Sequence, residues 1–212
     1  MSTVRSHLTV SLDGCVAGPN QSLDHPFGEG AEHLNDWLLA LRTVREMFGE
    51  EGGDTGPSDD VFRERTANVG AHIMGRNMFG PGPGPWPEQP WNGWWGDNPP
   101  YHTPVYVLTN HPREPVPMEG GTTFYFVTDG IESALEQARA TAGSQDIVVA
   151  GGANVVQQYL RAGLLDELEI HLVAQVLGAG ERLFDGVDDV KLEQIRVVPG
   201  ADVTHLKYRL VS

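Results

Sequence analysis

The segment IVVAGGANVVQQYLRAG, residues 147–163, constrains the fold more than any other stretch of this chain. IVVA is a short, fully apolar strand of the kind found where both faces of a parallel sheet are covered. Gly151, Gly152, Ala153 and Asn154 then lead into the helix VVQQYLRA, which Gly163 stops. AHIM at 71–74 runs into Gly75, Arg76, Asn77 and Met78 in the same order of strand, glycine and turn. The first N–H groups of a helix lack internal partners and sit at the positive end of its dipole, and glycine lets a phosphate approach the backbone. Each junction is a candidate anion cradle, although a glycine alone also serves merely to make a tight turn. Two in one sheet point to a ligand with more than one phosphate.

The rest of the chain supplies strands and helices around these junctions. Val4, Ser6, Leu8 and Val10 alternate with Arg5, His7 and Thr9, which predicts a first strand, followed by the loop SLDGCVAGPNQS. Asp13 is placed to orient that loop through local Asx-turn hydrogen bonds. Between Ala31 and Phe48 the apolar residues Leu34, Trp37, Leu38, Leu41, Val44 and Phe48 fall on one face of a predicted helix. Ser58, Asp59 and Asp60 suit the start of a second helix. VYVLT at 105–109 and TTFYFVT at 122–128 read as strands, and Asp129 with Glu132 forms a capping-box pattern for the next helix. Leu168 to Val176 alternate again, and VKLEQIRVV and DVTHLKYRL form a terminal antiparallel hairpin. The expectation is one three-layer α/β domain over 1–212: a mostly parallel central sheet flanked by helices, with that hairpin at its C-terminal edge. Its long Trp/Pro/Gly-rich loop, 80–104, is either a lid over a ligand or a packing element.

Charge and composition exclude several classes of function. The formal charge of -15 opposes non-specific nucleic-acid binding, which needs Lys and Arg to displace counterions. With Cys15 as the single cysteine, neither an intramolecular disulfide nor a multi-cysteine zinc site can form, which suits a reducing, cytoplasmic location. No signal peptide or membrane-length apolar run is present, so no membrane partner is expected. There is no GxGxxG after the first strand, no GxxxxGKS, no HExxH and no GxSxG, so neither a standard Rossmann or P-loop site nor a metal site is predicted.

Arg76 offers a planar guanidinium to a ribose 2′-phosphate, which favours NADPH over NADH. Thr109, Asn110, His111 and Arg113 follow the VYVLT strand at its C-terminal end, where open α/β sheets collect ligands. SLDGCVAG, IMGRNMFG, VYVLTNHPR and VVAGGANVVQQYLRAGLLDELEIHLVAQVLGAGERLF, in this order, resemble the dihydrofolate-reductase-like family that includes the C-terminal reductase domain of riboflavin-biosynthesis proteins. The resemblance implies that fold, NADPH as cofactor and often a homodimer. It implies that Val16 and Ala17 line the nicotinamide and that Gly75, Arg76, Asn77 and Met78 hold phosphates. Leu108, Thr109 and Asn110 then border the adenosine half, while Ala150, Gly151, Gly152, Ala153, Asn154 and Val155 hold the pyrophosphate. No PCxxC motif of the deaminase half of the bifunctional riboflavin proteins occurs in these residues, so their two-step activity is not expected of this chain.

Hydride transfer also needs a proton source. The corresponding helix of dihydrofolate reductases bears the active-site acid, so the resemblance points to Asp36, beside Trp37. Trp37 and Phe79 are the expected substrate contacts, and Phe79 with Trp86, Trp91, Trp94 and Trp95 either stacks on a flat substrate or anchors the loop to the core. The expected activity is NADPH-dependent reduction of a small heteroaromatic, carbonyl or imine compound. The alternatives are a non-catalytic nucleotide-binding or ligand-sensing module, and a flavin or deazaflavin oxidoreductase.

Overall fold

The computed structural model describes residues 2–80, 82, 84–89 and 91–211. Met1 and Ser212 at the ends of the expected domain, and Pro81, Pro83 and Pro90 within the expected long loop, lie outside them. The strands are β1 (Val4–Ser11), β2 (Cys15–Ala17), β3 (Val69–Gly75), β4 (Pro104–Leu108), β5 (Val116–Pro117), β6 (Thr123–Val127), β7 (Asp146–Gly151), β8 (Glu167–Val173), β9 (Glu181–Arg182), β10 (Lys191–Pro199) and β11 (Val203–Val211). The helices are α1 (Asp36–Leu39), α2 (Arg42–Met47), α3 (Pro57–Thr66), α4 (Arg76–Phe79), α5 (Ile131–Ala142) and α6 (Ala153–Arg161).

Nine strands form one sheet in the order β10-β11-β8-β1-β7-β3-β4-β6-β5, and β2 pairs with β9 in a separate ribbon. From β8 to β6 every neighbouring pair is parallel, whereas β11 on β8, β10 on β11 and β5 on β6 are antiparallel. Alternation along the strands sends side chains to two faces. Val4, Val10, Ala71, Ile73 and Tyr106 join α5 and α6 in the largest apolar cluster. The opposite face carries two smaller clusters. One gathers Leu34, Trp37, Val44 and Phe62 from the α1–α3 region, and the other sets Met74, Val105, Val107 and Phe124 against Trp86, Trp91, Trp95 and Tyr101 of the long loop. Between these two clusters the sheet surface is left open, floored by His7, Thr9, His72 and Val148.

The structure departs from local sequence patterns at several points: β8 ends at Val173 although the alternation runs on to Val176, the short strands β2, β5 and β9 carried no clear signal, and three helix ends differ. The helix predicted over 31–48 is broken at Leu41, which is extended (φ -65°, ψ 140°). The reason lies in the acidic loop: Asp54 returns to donate its N–H to the Ala40 carbonyl and accept from Arg42 N–H, so the backbone bonds across rather than along the helix. Asp129 does not cap α5. Gly130 takes the N-cap position at φ 92° with no side-chain bond, and Asp129 accepts instead from its neighbour Thr128. The α3 helix opens at Pro57, one residue before Ser58, whose hydroxyl is engaged by His205.

Candidate active site

The open strip of sheet is the floor of a cleft of about 970 Å³ at the C-terminal ends of the parallel strands. Three helix starts border it. Gly75 and Arg76 open α4, Gly130 and Ile131 open α5, and Gly152 and Ala153 open α6, and none of the three N-caps carries a side-chain cap bond. The two junctions read from sequence abut: Met74 and Gly151 are register partners, and a Cβ on Gly75 would lie 2.8 Å from Val155 Cγ2. Gly151 has φ +120°, where side chains strain the backbone, and a Cβ there would meet Leu8 at 3.1 Å.

Of the residues expected to hold a dinucleotide, Val16, Ala17, Gly75, Arg76, Asn77, Met78, Leu108, Thr109, Asn110, Ala150, Gly152, Ala153, Asn154 and Val155 line this cleft. Gly151 lies behind them, shaping the turn. The Arg76 guanidinium lies over Trp86 at 3.6 Å and donates to the Gly80 carbonyl, and its Nε is buried without a partner. No carboxylate pairs with it among the described residues. Burial, followed by the nearby Arg113 charge, lowers its pKa, so a negative group here would be favoured.

The expectations for the substrate end need correction. Asp36 is an exposed carboxyl, 61 % accessible, bonded to His33 Nδ1 at 2.8 Å, and it does not line the cleft. The four-residue α1 leaves it on the solvent side, away from the cleft. Trp37 is buried beneath the cleft rather than in it, its Nε1 donating to Thr9 Oγ1 at 3.2 Å and its ring against His171 and His205. Phe79 is fully buried among Phe124, Phe126 and Trp86, because α4 turns it into the core. Asp13 bonds both locally and across the fold: it accepts from Ser11 Oγ two residues away and from the Leu177 and Gly178 amides, and these bonds hold its pKa at about 2. Of the long loop, Trp86, Trp91 and Trp95 pack on the core, and Trp94 and Trp95 line the cleft.

Several cleft residues escaped sequence reasoning. The third junction, Val127 to Ile131, carried the same strand, glycine and helix signal in VTDGI. His7, His72 and Arg65 carried none, because they converge only when β1, β3 and α3 pack. Burial, then the Arg65 charge, keeps His7 well below its ordinary pKa, and burial holds His72 at about 3, so both are neutral. Two acids of this region are buried, but Asp59, 4 % exposed, accepts from Thr43 N–H at 2.9 Å and ties α2 to α3, Glu169 pairs with Arg196, and neither lines the cleft. In a chain with 29 acidic and 14 basic residues, the cleft wall holds Arg65 and Arg76 against one carboxylate, Glu181. Among the described residues no group of three or more His, Cys, Asp or Glu is placed to hold a metal.

A mostly parallel sheet with an antiparallel C-terminal hairpin and helix starts bordering one cleft defines a protein of the dihydrofolate-reductase-like fold. The chain belongs to the RibD C-terminal domain family, whose model matches residues 2–206. Among solved structures it is similar to a riboflavin-biosynthesis protein from Shewanella sp. PV-4, at 21 % identity over 99 % of both chains with a TM-score of 0.64. It is also similar to dihydrofolate reductase from Enterococcus faecalis, a complex with NADP(H), at 16 % identity over 99 % of this chain and 97 % of that one, with a TM-score of 0.57. RibD of Acinetobacter baumannii matches at 15 % identity and a TM-score of 0.58, and this chain covers 59 % of its length. A search of curated protein sequences returns no significant match. Membership of this family supports a reductase-type function of the riboflavin-biosynthesis kind, and the solved neighbours show the fold.

Proposed function

We propose that the protein is an NADPH-dependent reductase that transfers hydride to a small heteroaromatic, carbonyl or imine compound. The observation that carries this reading is the convergence of three uncapped helix starts and an acid-free Arg76 on one large cleft. The residues fit the coenzyme: Gly152 on the cleft wall has open space where a Cβ would stand, and the α6 start would offer the Ala153 and Asn154 amides to a pyrophosphate. Arg76 would take the 2′-phosphate, Leu108 to Asn110 would border the adenosine, and Val16 and Ala17 would flank the nicotinamide. NADPH supplies the hydride when bound, and the chain's part is to hold it over the strip floored by His7, Thr9 and Val148 and to exclude water.

The Enterococcus relative's complex with NADP(H) supports the choice of coenzyme. Glu181 is the one carboxylate on the cleft wall, so no buried acid stands ready as proton donor among the described residues, and this favours the binding or sensing module as the second reading. The proposal includes a small-molecule substrate, a homodimer, no nucleic-acid or membrane partner, and a cytoplasmic setting. Thermal shifts with NADPH, NADH, FMN and no ligand test it. A ligand at a hundred times its dissociation constant adds about 2.7 kcal/mol, so NADPH is expected to raise Tm clearly and FMN not at all. A protein that NADPH leaves unshifted is not this reductase, and one that binds NADPH without oxidising it in the presence of any carbonyl, imine or pteridine tested is the sensing module.

A further inference from the structure

We propose that Arg65 binds an anionic group, a carboxylate or phosphate, on the molecule occupying the histidine-lined end of the cleft, and that His171 and His205 are its positioning residues. The proposal rests on the reductase reading only in taking this end as the substrate's.

Arg65 lies on α3 and lines the cleft beside Thr66 and Phe62, its guanidinium 4.4 Å over the Phe62 ring. Its one hydrogen bond runs from Nη1 to His171 Nε2 at 2.9 Å, and its Nε is buried without a partner. Arginine carries five N–H donors and no acceptor, so most of this donor set is uncommitted. The neighbouring carboxylates are engaged elsewhere: Glu64 and Glu169 pair with Arg196, and Glu167 with Lys207. Arg65 therefore stands as a desolvated cation with no ion-pair partner among the described residues. Such a charge is costly unless an anion meets it.

What holds it is a chain of neutral imidazoles whose direction the arginine dictates. Because Arg65 only donates, His171 Nε2 accepts and its proton sits on Nδ1. That N–H donates to His205 Nδ1 at 2.8 Å, so His205 carries its own proton on Nε2 and donates it to Ser58 Oγ at 3.0 Å. The reverse direction would oppose two N–H groups at Arg65. Trp37 packs against both rings, 5.0 and 5.2 Å away, and fixes their planes. The chain crosses from β11 through β8 to α3, so the cleft position of Arg65 is set by residues far from it in sequence.

The test uses flat probes differing in charge: benzoate, phenyl phosphate and neutral benzamide, titrated into the protein with and without NADPH. The Arg65 Nε–H NMR signal, assigned by its loss in Arg65→Gln, is expected to move saturably with benzoate or phenyl phosphate and not with benzamide. Whichever anion acts names the source of the charge. Arg65→Gln is expected to weaken that binding about tenfold or more. His171→Leu is expected to weaken it similarly with NADPH binding unchanged, and His171→Gln, whose amide oxygen can accept from Arg65, to restore most of it. The idea is overturned if the signal ignores both anions, or if Arg65→Gln or His171→Leu binds them as the parent does. Should His171→Leu fail to fold, 15N shifts of the parent histidines decide, since a protonated His171 Nε2 contradicts the chain. Anion binding without NADPH binding would instead count against the reductase reading and leave this one standing.

Discussion

Four histidines on one face of the sheet are kept neutral by their surroundings, and this has a consequence for stability. Burial is the first cause for His7, His72, His171 and His205, and the positive charges of Arg65, Arg5 or Arg196 add to it. In the unfolded chain these rings protonate near pH 6.5, whereas folded His205 does so at about 4 and His72 at about 3. Between those values the unfolded state binds more protons. The stabilisation is therefore complete above about pH 6.5 and drains away as pH falls, by at most ~1.4 kcal/mol per pH unit for each histidine. Urea midpoints should drop between about pH 7 and 4.5, and His205→Gln should flatten that slope. A midpoint that holds steady across this range would contradict the neutral-histidine account. At the other end of the cleft, Arg76→Gln is expected to lower NADPH affinity about tenfold or more and NADH affinity far less, measured by fluorescence titration. Equal losses for both coenzymes would place Arg76 away from the 2′-phosphate.

Elements are joined by a few buried polar ties that sequence patterns do not announce. Tyr159 on α6, fully buried, donates to the Ile131 carbonyl at 2.9 Å and so links the start of α5 to the middle of α6. Tyr159→Phe should cost about 1 kcal/mol by removing that second bond to the carbonyl, read as a lower urea midpoint at unchanged m. The long loop is fastened by Arg113, which donates to the Trp91 carbonyl and to Asn92 Oδ1 and, with Arg76, stands over Trp86. Arg113→Ala is expected to speed proteolysis within 86–95 without lowering the cooperative unfolding midpoint much; slower or unchanged cleavage would show that the tryptophans alone hold the loop. The broken helix at Leu41 belongs to this scale too. Its apolar spacing was correct, and a backbone bridge from Asp54 overrode it.

At the scale of the whole molecule, the cleft exists because one face of the sheet is covered by two separate apolar clusters instead of one. The parallel strands end there together, which gathers the starts of α4, α5 and α6 around a single volume. An acidic chain thereby presents a wall with two arginines and one glutamate, a local field opposite in sign to its net charge. Coenzyme binding should accordingly weaken as salt rises, and Arg65→Gln combined with Arg76→Gln should abolish most of that salt dependence. No helix of the described residues is long and apolar enough to cross a membrane.

The order of the main strands and helices, the terminal hairpin and two of the three glycine junctions were legible in the chain itself, because periodicity and turn chemistry act between residues a few positions apart; the short strands β2, β5 and β9 and the break between α1 and α2 were not. Which acid is buried, which aromatic rings reach the cleft and which histidines meet were decided only in three dimensions. Asp36 was the expected acid and Asp59 only a helix-start residue, yet Asp36 is exposed beside His33 and Asp59 is buried against the Thr43 N–H. His171 and His205 touch across 34 residues, and Arg65 reaches His171 across 106. Contacts of that separation depend on how whole layers pack, and no local pattern encodes them.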